Sequence, residues 1–462
     1  MSNNKISNNE ILIRKSINLA ILFLFIYVVT LSFFSIKNPW PTVLLSSIVA
    51  LCFLLLSGVR LFESLNLLVV LLVAFDSEIF SISFLKLRVW YFLLLLSFFL
   101  ELVNYMLFSW KEKRFNISNA IFLFYFIVLS VFSSINNNLL GDLYCVKYWL
   151  FTIGFFLWLS TVFKRIVKKY FVSAMSYITA VFLSVALFGL WQYLMNKTSL
   201  GSLYMSIPGN VRPEAFFSET TWYATFCFTG LVLLSYQAYK TKEKMYICAR
   251  LIFLLGIFLS NTRNAFLGLS FFVFIEILLL IKKRKCIKRS TLKNLYLIVS
   301  VVVIGILLFW KEVNSIFTAV LIKFSFTDAS ALGRINAFNS LIADIAEKPL
   351  FGLGFNWDAV KDVIQSSGTA IGAKAFNVFL QVAYIFGIAG FVPFVIMVLY
   401  FAYKKWYLTF YLDEFNKYSL IFFCSFFLLS SFAPLHQFPS GILMLGLSNI
   451  VNIEKGRFYE NL

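Results

Sequence analysis

Histidine is almost absent from this chain, with His436 the single example in 462 residues. Metal chemistry built on histidine clusters therefore has no donor set. Cysteine is sparse and unpaired. Cys52, Cys145, Cys227, Cys248, Cys286 and Cys424 form no CxxC pair and mostly sit inside apolar runs, which excludes a disulfide framework and a zinc ribbon. Charged residues make up only 13%, with 21 acidic against 40 basic. Asp76 and Glu78 come closest to a carboxylate ligand pair, and their place at the edge of an apolar run gives them a structural reading. No cofactor and no metal site is expected.

What is abundant is apolar surface. Hydrophobic residues reach 61% and the mean hydropathy is +0.86. A soluble domain has no interior large enough for that, so the fold class is an all-α polytopic membrane protein. Phe alone accounts for 57 residues, packing or lipid-facing bulk for the most part. The net charge of +19 invites a nucleic-acid reading, but the basic residues fall in connectors between apolar runs. The partner they imply is the lipid bilayer, with no nucleic acid. The first apolar run is too long for a signal-peptide core and lacks a small-residue cleavage site, so it reads as a retained helix.

Roughly fourteen spans can be drawn at about twenty residues each: 17–35, 42–59, 62–80, 88–109, 118–135, 146–163, 171–195, 220–239, 246–261, 264–281, 294–313, 377–403, 416–433 and 437–452. Alternate connectors then hold 27 of the 40 basic residues, among them Lys164, Arg165, Lys168, Lys169, Lys404 and Lys405, leaving 13 for the other side. By the positive-inside rule both termini are cytoplasmic. The whole of 1–462 forms one membrane domain, and 314–376 becomes a long extracytoplasmic loop between the eleventh and twelfth spans. Inside that loop Ile335, Phe338, Leu341, Ile342 and Ile345 recur at helical spacing, so 333–348 reads as an amphipathic helix stopped by Pro349. Arg334 then falls in its first turn, where the helix dipole disfavours a cation.

Three arginines lie on the charge-poor side. Arg212 sits between spans seven and eight with Pro213, Glu214 and Glu219. Arg263 sits at a tight break, Ser260-Asn261-Thr262-Arg263-Asn264, and Arg334 in the loop. Each alone reads equally well as a snorkelling residue or a partner of Glu214 or Glu219. Three on one face favour a shared anionic ligand, because the guanidinium fork makes paired, charge-assisted hydrogen bonds to phosphate oxygens.

The pattern Arg-x-x-Ala-x-Phe-x-Glu at Arg212 to Glu219, then Ser-x-x-Arg at Ser260 to Arg263, resembles the O-antigen ligase and polymerase superfamily. Arg334 followed by Lys348-Pro349-Leu350-Phe351-Gly352-Leu353-Gly354 fits too, as does Phe376-Asn377-Val378-Phe379-Leu380-Gln381 with Gly387-Ile388-Ala389-Gly390. The resemblance implies a glycosyltransferase-C-like fold and an extracytoplasmic enzyme that uses an undecaprenyl-diphosphate-linked oligosaccharide as donor and acceptor. A flippase and a chain-length regulator are candidate partners. Carried over by position, Arg212, Arg263 and Arg334 would engage the donor diphosphate, and Glu219 would orient the loop or act as base. Glu214, Asn264, Asn377 and His436 are the candidate substrate-binding residues. Ligases of this superfamily commonly have His-Asn where this chain has Phe376-Asn377, which favours a polymerase of O-antigen, capsule or exopolysaccharide over a ligase. A lipid-linked oligosaccharide flippase is the rival of another class. It needs no long one-sided loop, and the centres of the spans here are nearly free of charge.

Overall fold

The structure is a computed structural model that describes residues 3–34, 39–75, 153–196, 212–217, 220–241, 245–282, 329–354, 377–412, 416–431 and 439–450, together with a few shorter pieces. Nearly every described element is helical. In chain order the helices are α1 (Asn3–Phe34), α2 (Trp40–Leu56), α3 (Leu61–Ala74), α4 (Lys164–Lys169, entered through a π turn at Leu159–Phe163), α5 (Phe171–Met195), α6 (Thr220–Thr241), α7 (Met245–Ser260), α8 (Arg263–Lys282), α9 (Ala329–Glu347), α10 (Val378–Tyr407), α11 (Lys417–Ser430) and α12 (Pro439–Ile450). The exception is an antiparallel pair, β1 (Phe80–Ile82) with β2 (Leu85–Leu87), in which Phe80 pairs with Leu87 and Ile82 with Leu85. The third expected span is shortened accordingly. Its helix stops at Ala74, just before the polar run Asp76-Ser77-Glu78, after which the sequence alternates Phe80-Ser81-Ile82-Ser83 with a period of two.

Length separates these helices. Ile13–Phe34, Phe171–Met195 and Val378–Tyr411 are long and apolar enough to cross a bilayer, whereas Trp40–Leu56, Leu61–Ala74, Ala249–Ser260 and Lys417–Ser430 are apolar but shorter. The protein is an all-α membrane protein, and the count of fourteen is not reached on the described residues. All of 294–313, nearly all of 118–135 and most of 88–109 lie outside them. An outward face on α10 suits lipid: Tyr400, Tyr403, Trp406, Tyr407 and Tyr411 are exposed near one end of that helix, as in an interfacial aromatic belt.

Contacts between helices fix their directions. Thr30 Oγ1 at the end of α1 lies 2.6 Å from Thr42 Oγ1 at the start of α2. At the opposite end of that pair, Ser173 Oγ donates to the Ser57 carbonyl and Lys169 bonds Glu63 at 3.1 Å. α5 and α6 run antiparallel, since Gln237 Nε2 donates to Thr179 Oγ1 (2.8 Å) while Tyr223 OH donates to the Ala186 carbonyl (3.0 Å). α6 and α7 are antiparallel too: Gly230 abuts Phe253, and Gly256 abuts Cys227 and Tyr223. Gly268 of α8 meets Phe228. Lys417 at the start of α11 bonds Glu276 late in α8, and Lys405 late in α10 donates to Ser419 Oγ and the Ser448 carbonyl.

Those pairings leave two chemically distinct ends. One gathers Lys164, Arg165, Lys168, Lys169, Lys282, Lys404, Lys405 and Lys417. The other gathers the loop 212–217, the break 260–263 and the start of α10. Between the ends the core is rich in aromatic residues, with Trp158, Tyr177 and Tyr223 almost fully buried.

Candidate functional site

The loop 212–217 enters the bundle with its arginine outermost and its glutamate inside. Arg212 is exposed, while Glu214, Ala215, Phe216 and Phe217 are buried, Glu214 to 2% exposure. Phe216 is the anchor: its ring lies 4.9 Å from that of Tyr27, 4.4 Å from Phe75 and 4.5 Å from Phe188, stacked on the last. Phe217 turns instead onto Phe226 at 5.3 Å. A tight turn closes the segment, with the Phe217 N–H donating to the Glu214 carbonyl at 3.0 Å. Ala215 sits at φ 51°, in the left-handed region that an alanine rarely adopts. Such a residue costs roughly 1–3 kcal/mol and persists where its surroundings over-determine it. Here they do. Ring pairs add about 0.5–1.5 kcal/mol each, and hydrogen bonds a similar net amount, and Gln192 of α5 supplies the latter to both peptide groups of Ala215.

The break at 260–263 is built differently. α7 ends at Ser260, whose hydroxyl donates to the Ile257 carbonyl at 2.6 Å. Asn261 takes φ 47°, a conformation asparagine tolerates, and its N–H donates to Phe258. α8 restarts at once, so Arg263 is its first residue and Asn264, 5% exposed, its second. A cation is out of place at a helix N-terminus, where the dipole is positive. Thr262 just before it is buried, and its hydroxyl has no hydrogen-bond partner among the described residues. α6, α7 and α8 are in register so that this break lies beside Thr220, the first residue after the 212–219 motif.

A third piece of irregular backbone joins the loop to α10. α9 begins at Ala329, four residues earlier than the sequence pattern predicts, so Arg334 lies in its second turn instead of its first. That weakens the dipole argument for Arg334, whose side chain lies outside the described residues. Leu341 is buried and Ile342 is 54% exposed, so only part of the apolar stripe faces inward, where α9 packs on α10. Pro349 ends α9 as expected, and the strap 349–354, a turn followed by irregular backbone, then lies against a gap in α10. Gly387 has φ 60° and ψ −163°, which splits α10 into two helices. Four of the backbone groups beside the split pair with the strap. Leu353 and Gly354 N–H donate to the Tyr384 and Ile385 carbonyls at 2.8 and 3.1 Å, while Ile388 and Ala389 N–H donate to Pro349 and Leu350 at 2.8 and 3.1 Å. Irregular backbone at membrane depth is tolerated where such partners exist. Both glycines are obligatory: a Cβ on Gly352 would strike the Tyr384 carbonyl, and one on Gly387 the Leu350 carbonyl.

Asn377 opens α10, and its side-chain oxygen accepts from the Phe379 and Leu380 N–H groups at 2.8 and 3.2 Å. Its first visible task is thus an N-cap. Gln381, one turn later, is fully buried. In α9, burial first and the Glu347 carboxylate second push Asp344 above the usual carboxylate range, and its Oδ2 has no hydrogen-bond partner among the described residues.

Of the sequence-predicted site residues, Arg212, Glu214, Arg263, Asn264 and Asn377 therefore stand at one end of the bundle. Glu219 and His436 lie outside the described residues. Gln192 was missed, and its only sequence signal is a lone amide in an otherwise apolar helix. Residues 248–395 match a family model described as O-antigen ligase. That segment, about a third of the chain, carries Arg263, Arg334, the strap and the split helix, and over it the resemblance to the O-antigen ligase and polymerase superfamily holds. No curated protein and no solved structure matches.

Proposed function

With that family match as the premise, we propose that this chain is a glycosyltransferase that joins undecaprenyl-diphosphate-linked repeat units into an O-antigen, capsule or exopolysaccharide. One observation supports the reading: two arginine-bearing chain breaks lie at the same end of the bundle, away from the lysines. The match over 248–395 adds support for a lipid-linked oligosaccharide as substrate. In this reading the chain crosses the bacterial inner membrane about fourteen times, by the length argument above. Both termini lie on the cytoplasmic, lysine-rich side, and 314–376 lies on the outer side. A reporter fused after Lys361 should then be extracytoplasmic and one after Lys285 cytoplasmic.

The chemistry asked of the site is one bond exchange. An acceptor sugar hydroxyl attacks the donor's anomeric carbon, the carbon–oxygen bond to the diphosphate breaks, and undecaprenyl diphosphate leaves with the electron pair. The hydroxyl proton passes to a carboxylate, for which Glu219 is the candidate. Arg212, Arg263 and Arg334 take up the charge growing on the diphosphate, in a site where preorganised donors are worth most. Arg263 would be helped by the α8 N-terminal N–H groups and the Thr262 hydroxyl, since anions favour helix N-termini. This route uses no metal.

The family description itself favours a second reading, a ligase that transfers a finished chain once onto a different acceptor. Purified protein given lipid-linked repeat units, without nucleotide sugar, separates the possibilities. A ladder of products lengthened by whole repeats, formed equally in EDTA, is expected. A single transfer to a non-repeat acceptor selects the ligase, translocation without lengthening selects a flippase, and loss in EDTA restored by a divalent ion ends the metal-free mechanism.

A further inference from the structure

The loop bearing Arg212 is held from behind by a residue outside every motif. Gln192 lies near the end of α5, fully buried among apolar neighbours such as Phe188 and Gly189. A glutamine in such a place is unfavourable unless its amide is bonded. Three of its hydrogen bonds go to backbone groups of the loop. Nε2 donates to the Ala215 carbonyl at 3.0 Å, and Oε1 accepts from the Ala215 N–H at 2.6 Å and the Glu214 N–H at 3.2 Å. One side chain thus grips the peptide groups on both sides of Ala215. Ala215 is also the loop residue in the left-handed region. The two anomalies explain each other. Fixing the peptide planes before and after a residue fixes its φ and ψ, and no other natural side chain of this length offers a neutral donor and acceptor together.

We propose that Gln192 is a positioning residue that locks Ala215 in its left-handed conformation and so aims Arg212, three residues earlier, at the substrate's anionic group. The direction of Arg212 rests on the glycosyltransferase reading above, whereas the lock itself does not. Leverage is plausible in size, because displacing a reacting group by about 1 Å can cost on the order of 10²-fold in rate.

The experiment uses full-length protein in detergent with two readouts, product formation and amide hydrogen exchange across 213–217. Gln192→Met keeps the volume and removes all three bonds. Its Glu214 and Ala215 amides should lose protection, and its rate should fall by roughly ten- to a hundredfold. Adding Ala215→Gly to that variant should restore the rate to within a few-fold, because glycine adopts positive φ without strain. Should Gln192→Met accumulate poorly, Gln192→Asn shortens the arm while keeping the amide, with the same two readouts. Unchanged protection in the Met or Asn variant overturns the lock. Lost protection with an unchanged rate, or a lost rate that glycine at 215 fails to restore, overturns the aiming of Arg212. If the wild-type protein transfers no sugar at all, the proposed reaction is wrong, and the exchange result still decides the lock.

Discussion

The two ends of the helix bundle differ less in how much charge they hold than in how the chain is shaped around it. At the lysine-rich end, the described buried cations are satisfied by the protein itself. Lys417 meets Glu276 at 2.7 Å and lies over the Tyr239 and Tyr418 rings, and Lys405 bonds Ser419 and Ser448. At the other end charges are fewer and the backbone is irregular. Of the six described residues with positive φ, five lie there (Ala215, Asn261, Gly352, Gly354 and Gly387), and only Gly58 lies at the lysine end. Strained backbone of this kind gathers where groups must be held against their own preference. The lysine end is built to sit still in an interface, and the arginine end to present something.

The sharpest way to break that contrast is to remove one charge from each end. Arg212→Ala and Arg263→Ala should each lower the transfer rate by roughly 10²–10³, by analogy with losing one preorganised oxyanion donor. Arg→Lys should rescue only part, keeping the charge and losing the fork. Lys164→Ala and Lys404→Ala, both exposed, should leave the rate within a few-fold of wild type. Equal losses at both ends would reduce the site to general electrostatic attraction. Protein abundance in the membrane, read by immunoblot, should stay near normal in all four.

Next in size is the clasp between the strap and the split helix. Gly387→Ala places a methyl group against the Leu350 carbonyl at φ 60°, so both the steric fit and the backbone conformation suffer. The strain alone is worth roughly 1–3 kcal/mol. Thermal unfolding in detergent should shift downward, and the rate should fall with it because α9 loses its tether. Gly58→Ala, at φ 81° with open space around it, carries the strain without the collision and should shift unfolding less. If the two variants behave alike, the clasp is incidental.

Much of this was legible in the sequence, for identifiable reasons. Pro349 stops α9 because proline lacks an N–H, and Arg263 marks a break because Asn261 accepts the left-handed region. The gathering of lysines at one end of the described helices was also legible, since each lysine is read by itself. What could not be read were pairings across long sequence distance. The strap and Gly387 are more than thirty residues apart, and Gln192 and Ala215 more than twenty, so nothing local announces either contact. Local reading also erred where a weak preference was taken for a boundary. The start of α9 was placed at Gly333, but glycine inside a helix costs only about 1 kcal/mol, and the good helix formers Ala329, Ala331 and Leu332 carry the helix back past it. Asn377 was read for its chemistry, and its side-chain oxygen is engaged in capping α10.

The smallest effect, and the finest test of the contrast, concerns Asp344. Glu276 and Glu63 near the lysine end each have a lysine partner, whereas Asp344 on α9 keeps one carboxyl oxygen buried without any described hydrogen-bond partner. Its carboxyl is held above the usual range, by burial first and by Glu347 second. A raised carboxyl favours the protonated form in the folded state, so its contribution is fully present at pH below the unfolded value and is lost as pH rises through the folded one. Docking of α9 should therefore weaken as pH climbs out of the acid range. Asp344→Asn, neutral at every pH, should remove that dependence and leave the protein slightly more stable at neutral pH. The carboxyl is only partly buried, so the change should be a small upward shift in thermal unfolding. The comparison that decides it is the slope of unfolding temperature against pH between about 4 and 7, flatter in the variant than in the wild type. Identical slopes would mean that Asp344 finds a partner after all, and that the arginine end satisfies its carboxylates as the lysine end does.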